Sequence, residues 1–460
     1  MKKPEKLYEG NMRKKYLLFA IPLILSALLS QSYNFVNSMM IGKFIGSEAF
    51  AATAVTAELI NLLDAIFFGY LTGIGIYISV LYGRSEYQKI VNVIEVNLFL
   101  SLCVALLVSL GCNLFCEQIF DILNVNEEVY RNAELYFRTY VIGYIAFQFN
   151  WAFTYLSNGF GMTKLPLTAS IISGASNVVL NYLFLGVLDK GIEYSALASI
   201  ISTSVTTIMY FCIYIRFFKK MGVSLKCLKF SKEILRESFG YGAPSMFQQM
   251  TMYGCTTLVS PLTNTCSTAA LSGYSIANKA KTLIAALYQN SSKANTNFVG
   301  QAMGAGKIDK IKQGIKIGVT QSMVFFCVTM ALFMIFARQF AGLFLDPIED
   351  AQSFVVAVNI IRFLLPFIIF NVFNNLFHGI VRAVGSGTLM FISSLIYAIS
   401  YVIYAYILFA VLPYEFRIYG VNLALTGAYI TEVTFATIIF VSGKWKSKEY
   451  RRLEQSYQNN

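Results

Sequence analysis

The stretch that decides the fold runs from Ser238 to Lys310 and reads SFGYGAPSMFQQMTMYGCTTLVSPLTNTCSTAALSGYSIANKAKTLIAALYQNSSKANTNFVGQAMGAGKIDK. It contains two long apolar runs that are unusually rich in Gln, Asn, Ser, Thr and Lys, and it ends in a glycine-rich basic loop. Lipid offers such groups no hydrogen-bond partners, so helices of this composition must face protein or water. The same outline recurs near the N-terminus, where Pro22 precedes Pro244 by 222 residues and a similar loop surrounds Gly83. A polar helix pair that occurs once in each half is typical of a two-lobed transporter.

The composition indicates a membrane protein. Of the 460 residues, 56% are hydrophobic and only 13% are charged, and the mean hydropathy is +0.59. Apolar runs of about 20 residues, long enough to cross a bilayer, recur along the whole chain. We therefore expect an all-α polytopic membrane protein with about twelve transmembrane helices. The predicted spans lie near 14–40, 52–82, 89–115, 130–157, 165–187, 194–218, 236–263, 268–300, 311–337, 352–379, 388–412 and 418–442.

The distribution of basic residues predicts the topology. The net charge of +12 arises from Lys and Arg in particular short loops, which indicates membrane orientation rather than nucleic-acid binding. Placing those loops inside puts both termini in the cytoplasm. We expect a multi-pass monomer in a bacterial plasma (inner) membrane, with the lipid bilayer and a small-molecule substrate as its partners and no nucleic acid. The N-terminus lacks a small-residue cleavage site, so we expect no removable signal peptide.

The longest polar connection divides the chain into two lobes of six spans each. The repeat continues past the prolines, because Arg362 follows Arg138 by 224 residues and Gly385 follows Gly161 by the same interval. An even number of spans in each half predicts parallel repeats, related by a pseudo-twofold axis along the membrane normal around a central cleft. The predicted parts are an N-lobe (1–218), a cytoplasmic interlobe loop (219–235), a C-lobe (236–443) and a mobile cytoplasmic tail (444–460).

Few ionisable groups lie inside the spans, and each costs roughly 2.5–3.5 kcal/mol at mid-membrane. Glu58, Asn61 and Asp64 follow one another at three-residue steps and form one polar edge of the second span. Lys279 and Lys281 occupy the corresponding part of the eighth span, so we expect an interlobe charge pair between Glu58 and one of these lysines. The alternative is that each group pairs inside its own lobe as a structural contact. The candidates for ion coupling are Glu58, Asp64, Glu432, Asn37 and Asn181.

Amides and hydroxyls line the polar faces of the first, fifth and seventh spans. Such groups can ligate a desolvated cation or bind a polar ligand, and they can equally join one helix to the next. Both interpretations stay open. The candidates for the substrate cavity are Gln31, Tyr33, Asn34, Asn177, Gln248, Gln249, Met252, Asn278, Lys281 and Tyr288. Glu432, alone near the middle of the last span, is either a proton carrier or a bonded structural carboxyl.

Other motifs point away from enzymatic chemistry. His378 is the only histidine and has no Cys or carboxylate near it in sequence, so we expect it to bond to a neighbouring helix rather than to hold a metal. No phosphate-binding loop, Ser/His/Asp arrangement or HExxH motif occurs, so we expect neither an ATP-driven pump nor an enzyme. Pro22 and Pro244 each remove a backbone hydrogen bond from a span and are candidate hinges. No cofactor is expected beyond a coupling ion.

The segment SQSYNFVNSMMIGKFIGSEAFAA before the second span and FVGQAMGAGKIDK at the end of the eighth resemble the multidrug and toxic compound extrusion (MATE) transporters. The resemblance covers residues from about 12 to 443. It implies a V-shaped pair of six-helix bundles that exports amphipathic, often cationic compounds in exchange for Na+ or H+ by alternating access. This chain departs from the family at three carboxyl positions, where it has Asn37, Asn181 and Met252. A neutral amide cannot release a proton at physiological pH.

The resemblance and the residues together predict an ion-coupled (Na+ or H+) multidrug efflux antiporter for amphipathic, cationic organic compounds. Two rivals stay open. One is a lipid-linked precursor flippase of the same superfamily, which a cleft dominated by Lys279 and Lys281 would favour. The other is a membrane receptor or scaffold that transports nothing, although such a protein would need neither the repeat nor the intramembrane charges.

Overall fold

The computed structural model describes residues 6–122, 125, 127–220 and 231–458, and every regular element within these ranges is helical. Residues 221–230 of the predicted interlobe loop lie outside the described residues. The helices of the first half are α1 (Met12–Phe44), α2 (Ser47–Arg84), α3 (Tyr87–Leu114), α4 (Cys116–Ile122), α5 (Glu127–Ile142), α6 (Tyr144–Phe160), α7 (Lys164–Asn181) and α8 (Glu193–Lys220). A π-helical turn at Tyr182–Val187 extends α7.

The second half repeats this order. Its helices are α9 (Lys232–Asn264), α10 (Thr268–Gly304), α11 (Ile308–Ile335), α12 (Ala337–Ala341), α13 (Ala351–Asn359), α14 (Ile369–Ala383), α15 (Gly387–Val411), α16 (Arg417–Val441) and α17 (Lys448–Gln458). A π-helical turn at Ile360–Leu364 and a 3-10 turn at Leu365–Ile368 join α13 to α14. Pro366 lies in the 3-10 turn, and its missing N–H explains the break in the α-helical ladder.

The internal repeat predicted from the sequence is visible in the helices. The two helices α2 and α10 have 38 and 37 residues, and α3 and α11 have 28 residues each. Gly161 and Gly385, which follow α6 and α14, have φ values of 84° and 85°. Glycine adopts this left-handed conformation at a helix end without the steric cost that a side chain adds. Both halves therefore end the same helix with the same turn.

Nine helical segments in the described part of the chain are long and apolar enough to span a membrane. The other three predicted spans are also helical: α9 and α10 are more polar, and the fourth span is divided between α5 and α6 at Gly143. The polarity of α9 and α10 is the feature that distinguishes the stretch from Ser238 to Lys310 in the sequence. The expected fold class, an all-α polytopic membrane protein, is confirmed.

The chain forms two compact units whose boundaries fall inside helices. The first unit comprises Met1–Lys6 and Leu25–Gly242, and the second comprises Leu7–Ile24 and Ala243–Asn460. Compared with the predicted lobes, the beginning of α1 belongs to the second unit and the beginning of α9 belongs to the first. The changes of unit fall beside Pro22 and Pro244, which lie inside α1 and α9. A hinge role for these prolines stays a prediction.

The beginning of α1 in the second unit and the beginning of α9 in the first unit are each held by polar contacts within that unit. In the second unit, the Tyr16 hydroxyl at the start of α1 donates to the Ser291 carbonyl oxygen of α10 at 2.5 Å. In the first unit, Glu237 at the start of α9 accepts hydrogen bonds from Lys89 of α3, with an N–O distance of 2.9 Å, and from Tyr77 of α2. These contacts hold each helix beginning in the unit to which it belongs.

The tail expected to be mobile is a helix packed on the second unit. Trp445 stacks on Phe440 with ring centroids 5.0 Å apart and is only 5% exposed. Lys446 Nζ lies 2.7 Å from Glu454 of α17. The expectation rested on the high charge of the segment, whereas the aromatic anchor before α17 supplies enough apolar contact to order it.

Candidate transport and coupling sites

The first unit joins the asparagines that the sequence singled out into one polar cluster. Ser195 of α8 donates to Asn37 Oδ1 of α1 at 3.1 Å, and Asn177 of α7 donates to Ser199 of α8 at 3.0 Å. Asn181 Nδ2 donates to Asn177 Oδ1 at 3.1 Å and to its carbonyl oxygen at 2.9 Å. Asn177 and Asn181 are 2% and 0% exposed. We call these five residues the amide cluster.

The chemistry of the amide cluster is that of neutral donors and acceptors. Asn181 Oδ1 is buried and has no hydrogen-bond partner among the described residues. A buried amide oxygen without a donor is costly unless it meets a cation or water. The cluster contains no carboxylate, so it can offer oxygen ligands to a cation but cannot release a proton. Its neutrality follows from Asn37 and Asn181, the positions where the family resemblance implied Asp.

Asp64 on α2 lies in an aromatic environment of the first unit. Its Oδ1 accepts a hydrogen bond of 3.0 Å from the hydroxyl of Tyr144, the first residue of α6. The Tyr144 ring is in edge contact with Phe67 and Trp151, with centroid distances of 6.3 Å to each. Tyr140 stacks on Phe147 in the same core. A partly buried carboxylate among aromatic rings is an arrangement that suits an organic cation.

The charge pair predicted between the lobes involves residues of different units. Glu58 on α2 is exposed and Asn61 beside it is exposed as well, while Asp64 is half-buried. Lys279 on α10 lies over the Phe344 ring at 4.4 Å. Lys281 is half-buried and has no ion-pair or hydrogen-bond partner among the described residues. The pairing of Glu58 with Lys281 or Lys279 stays a prediction.

The second unit places Glu432, which is alone in its own span, in a bonded group with residues of other helices. Glu432 on α16 is 2% exposed, and its Oε1 lies 2.9 Å from Nε2 of His378 on α14. Ser393 on α15 donates to the same Oε1 at 3.0 Å. The expectation that His378 bonds to neighbouring helices is therefore confirmed. Because the three residues lie on different helices, only tertiary packing brings them together.

The bonded group continues to α9. Gln248 Nε2 lies 2.8 Å from His378 Nδ1, and Arg382 donates to Gln248 Oε1 at 2.7 Å. Arg382 also contacts the Met390 sulfur at 2.8 Å. We call Arg382, Gln248, His378, Ser393 and Glu432 the Arg382–Glu432 chain. Sequence reasoning missed Arg382 and Ser393, although His378 and Arg382 are four residues apart and so share one face of α14.

The remaining candidates for the substrate cavity are dispersed. Tyr288 is 1% exposed in the apolar core of the second unit and accepts a hydrogen bond from Asn371 at 3.1 Å, which is a packing position. Met252 packs at the edge of a second apolar core of that unit. Gln31 and Asn34 are exposed, whereas Tyr33, Gln249 and Asn278 are half-buried. Within the described ranges, no group of three or more His, Cys, Asp or Glu side chains could hold a metal ion.

The fold and these buried polar groups define a polytopic helical membrane protein of two repeated halves, an architecture shared by many secondary transporters. A sequence profile of the MatE family matches residues 22–183 and 244–407, one segment in each half. The chain therefore belongs to the MatE family, a family of transporters. The resemblance to MATE transporters drawn from the sequence is confirmed.

Curated relatives and solved structures agree with this assignment. The chain is 24% identical over 444 residues to the "Probable multidrug resistance protein YpnP" of Bacillus subtilis (strain 168), covering 95% of this chain and 97% of the relative. It is 23% identical over 391 residues to the "Multidrug export protein MepA" of Staphylococcus aureus (strain NCTC 8325 / PS 47), covering 84% and 85% of the two chains.

Two solved structures share the fold. One is described as the "Outward-facing conformation of a multidrug resistance MATE family transporter of the MOP superfamily", with a TM-score of 0.86, 20% identity and coverage of 98% of this chain and 97% of that chain. The other is a MOP superfamily transporter from Pyrococcus furiosus described by the "reverse polarity" of its binding pocket, with a TM-score of 0.86, 20% identity and 97% of each chain covered.

Proposed function

We propose that the protein is an ion-coupled (Na+ or H+) multidrug efflux antiporter that exports amphipathic, cationic organic compounds by alternating access. Membership of the MatE family and relatives named as multidrug resistance or export proteins support the efflux activity. The topology proposed for this role is multi-pass in a bacterial plasma membrane with both termini in the cytoplasm, as the basic loops predict.

The observation that carries the cationic substrate class is the environment of Asp64. Its carboxylate accepts a hydrogen bond from Tyr144, whose ring is in edge contact with Phe67 and Trp151. Aromatic faces attract organic cations by about 0.5–2 kcal/mol, and a nearby carboxylate supplies the counter-charge. Because substrate and coupling ion would both be attracted to this carboxylate, binding of one would displace the other, which is what an antiporter requires.

The experiment is efflux of a fluorescent organic cation from everted membrane vesicles, with sodium and pH gradients imposed separately. Wild-type protein should transport the cation against its gradient when at least one of the two ion gradients is present. Asp64→Asn should lower the transport rate and weaken binding of the probe to purified protein. Asp189→Asn removes the same charge from an exposed position outside the helices and should leave both unchanged.

Two results would contradict the proposal. Absence of gradient-driven efflux in the wild type, with the protein present in the vesicles, would remove the antiport activity. If Glu58→Gln and Asp64→Asn both leave gradient-driven efflux intact, the first unit does not carry the coupling carboxylate. In that case, Glu432 is the carboxyl that remains among the three proposed for ion coupling.

One observation favours a second candidate, a flippase for lipid-linked anionic precursors. Lys281 has no anionic partner among the described residues, and Lys279 contacts only an aromatic ring there. An unneutralised ammonium group at bilayer depth suits a phosphate or carboxylate of a substrate. Lys281→Gln should then abolish transport of an anionic lipid and leave efflux of the organic cation unaffected. Transport of the cation alone by the wild type would reject this candidate.

A further inference from the structure

We propose that Glu432 is a proton-binding site of the second unit, and that His378, Gln248 and Arg382 position it so that it takes a proton and not a sodium ion. The inference names the proton as a coupling ion of the proposed efflux function, adds Glu432 of the second unit to the Asp64 carboxylate of the first, and rests on that function for its use in transport. Protonation of Glu432 itself is measurable without transport, so the two can fail separately.

Arg382 fixes the orientation of the Gln248 amide. An arginine N–H can only donate, so the Gln248 atom 2.7 Å from it must be the carbonyl oxygen. The amide nitrogen of Gln248 then faces His378 Nδ1 at 2.8 Å. Because this nitrogen is a donor, Nδ1 must be the acceptor and carries no hydrogen.

The orientation of Gln248 fixes the tautomer of His378. With Nδ1 unprotonated, the ring hydrogen lies on Nε2 and is donated to Glu432 Oε1 at 2.9 Å. A second proton on His378 would have to sit on Nδ1, where it would face the Gln248 amide nitrogen. Arg382 prevents the amide from turning over to relieve that contact. The imidazole therefore stays neutral, and the group that can gain or lose a proton is Glu432.

The same donors exclude sodium from Glu432 Oε1. This oxygen receives the Nε2–H of His378 and the hydroxyl hydrogen of Ser393, at 2.9 and 3.0 Å. Hard cations require oxygen atoms as ligands, and an imidazole N–H pointing at the oxygen offers a hydrogen instead. Because the two donors occupy Oε1, a proton is accepted on the other carboxylate oxygen, Oε2, and it needs no such coordination shell. The site is thus built to exchange a proton.

The other titratable groups around Glu432 do not compete for this proton. The phenols and the thiol within electrostatic reach of Glu432 are neutral at physiological pH. They are Tyr397 on α15, Tyr429 on α16 and Cys255 on α9. On the side of Arg382, α10 contributes Lys293, which interacts electrostatically with Arg382. Arg382 is linked to Glu432 through Gln248 and His378.

The Arg382–Glu432 chain also links the protonation state of Glu432 to α9, whose beginning belongs to the first unit and whose remainder belongs to the second. Gln248 is one turn beyond Pro244 on α9, and the preceding residues of α9 belong to the first unit. When Glu432 takes a proton, its hold on His378 weakens, because a hydrogen bond to a charged acceptor is roughly twice as strong as one to a neutral acceptor. The weaker hydrogen bond between His378 and Glu432 is felt by Gln248, which bonds to His378 and lies one turn beyond Pro244.

The first test uses the fact that the sequence contains one histidine. Protein labelled with isotopic nitrogen in histidine, purified with an affinity tag that contains none, gives imidazole signals from His378 only. We expect one protonated nitrogen and one unprotonated nitrogen across the neutral and mildly acidic range. Arg382→Gln should mix the two tautomers because the Gln248 amide becomes free to turn. Two protonated nitrogens in the wild type would overturn the proposal by making His378 the proton carrier.

The second test measures Glu432 directly by infrared difference spectra between alkaline and acidic buffer in lipid nanodiscs. The wild type should gain a carbonyl band of a buried carboxylic acid on acidification, and Glu432→Gln should lose that band. Glu415→Gln, which removes a carboxylate from an exposed turn of the same unit, should retain it. If Glu432→Gln shows the wild-type band, Glu432 is not the proton site.

The vesicle experiment separates this inference from the proposed function. Glu432→Gln should bind the fluorescent cation normally and lose efflux driven by a pH gradient, while Glu415→Gln keeps both. Wild-type efflux that responds to sodium and not to pH overturns the assignment of the proton as the coupling ion and leaves the efflux function standing. An intact infrared difference with no wild-type efflux overturns the efflux function and leaves the proton site standing. If Glu432→Gln exports the fluorescent cation at the wild-type rate under a pH gradient, the proton on Glu432 has no role in coupling.

Discussion

The close approach of α2 to the beginning of α9 in the first unit gives a prediction with a magnitude. A Cβ built on Gly73 of α2 would lie 2.2 Å from the carbonyl oxygen of Tyr241 and 2.7 Å from the Cα of Gly242. Both atoms are backbone, so no side-chain rotation can relieve the overlap. Gly73→Ala therefore forces the beginning of α9 away from α2.

The expected change in the free energy of unfolding caused by Gly73→Ala combines two opposing effects. Alanine is favoured over glycine inside a helix by about 1 kcal/mol. Overpacking of a closely packed contact costs about 1–3 kcal/mol, and the backbone overlap at Gly73 places this change toward the upper end. We expect a net destabilisation of roughly 1–2 kcal/mol. Gly111→Ala in α3 is the matched control, because its added Cβ meets no atom within 4 Å and only the helical gain remains.

The assay is thermal unfolding of the purified proteins in one detergent, followed by circular dichroism. Gly73→Ala should unfold below the wild type, and Gly111→Ala should unfold at or above it. A midpoint of Gly73→Ala equal to that of Gly111→Ala would refute the reasoning, since it would mean that the beginning of α9 does not pack on α2. Loss of helix content in both variants before heating would instead indicate a general intolerance of alanine.

Three further predictions follow from single contacts. Tyr144→Phe removes the hydrogen bond that orients the Asp64 carboxylate and should weaken equilibrium binding of an organic cation by up to about tenfold, because misorientation transfers only part of the roughly 1.5–3 kcal/mol of such a hydrogen bond to the cation; unchanged binding would contradict the role of Asp64. Ser393→Ala removes one of the two donors to Glu432 and should lower stability by about 1–3 kcal/mol in chemical unfolding, and a smaller change would mean that water replaces the hydroxyl. Trp445→Ala should release α17, which trypsin digestion would report as faster cleavage after Arg451, and wild-type resistance would show that the ion pairs alone hold the helix.

The sequence carried enough information for the architecture. Mean hydropathy, span length and the placement of basic residues are local properties, so they predicted a polytopic helical protein without any contact being known. The repeat was equally accessible because it relates single positions, such as Gly161 and Gly385, at a constant interval. The charged tail after Trp445 was misjudged, because its order depends on a stacking partner contributed by another helix.

For the candidate sites, the residue types were predictable and their partners were not. Asn37, Asn177 and Asn181 were identified from the polarity of their helices, and folding joined them through serines of α8 that carried no signal of their own. Glu432 and His378 were each recognised as unusual residues in a membrane helix. Their pairing depends on how α14, α15 and α16 pack together.

What the sequence by itself determined is therefore the set of helices and the identity of the polar groups buried with them. The tertiary structure decided which polar groups meet, and it placed the beginnings of α1 and α9 in the opposite units from the remainder of those helices. The physical reason is that hydropathy acts residue by residue. A hydrogen bond such as that between His378 and Glu432 requires two helices distant in sequence to be held within about 3 Å of one another at one point.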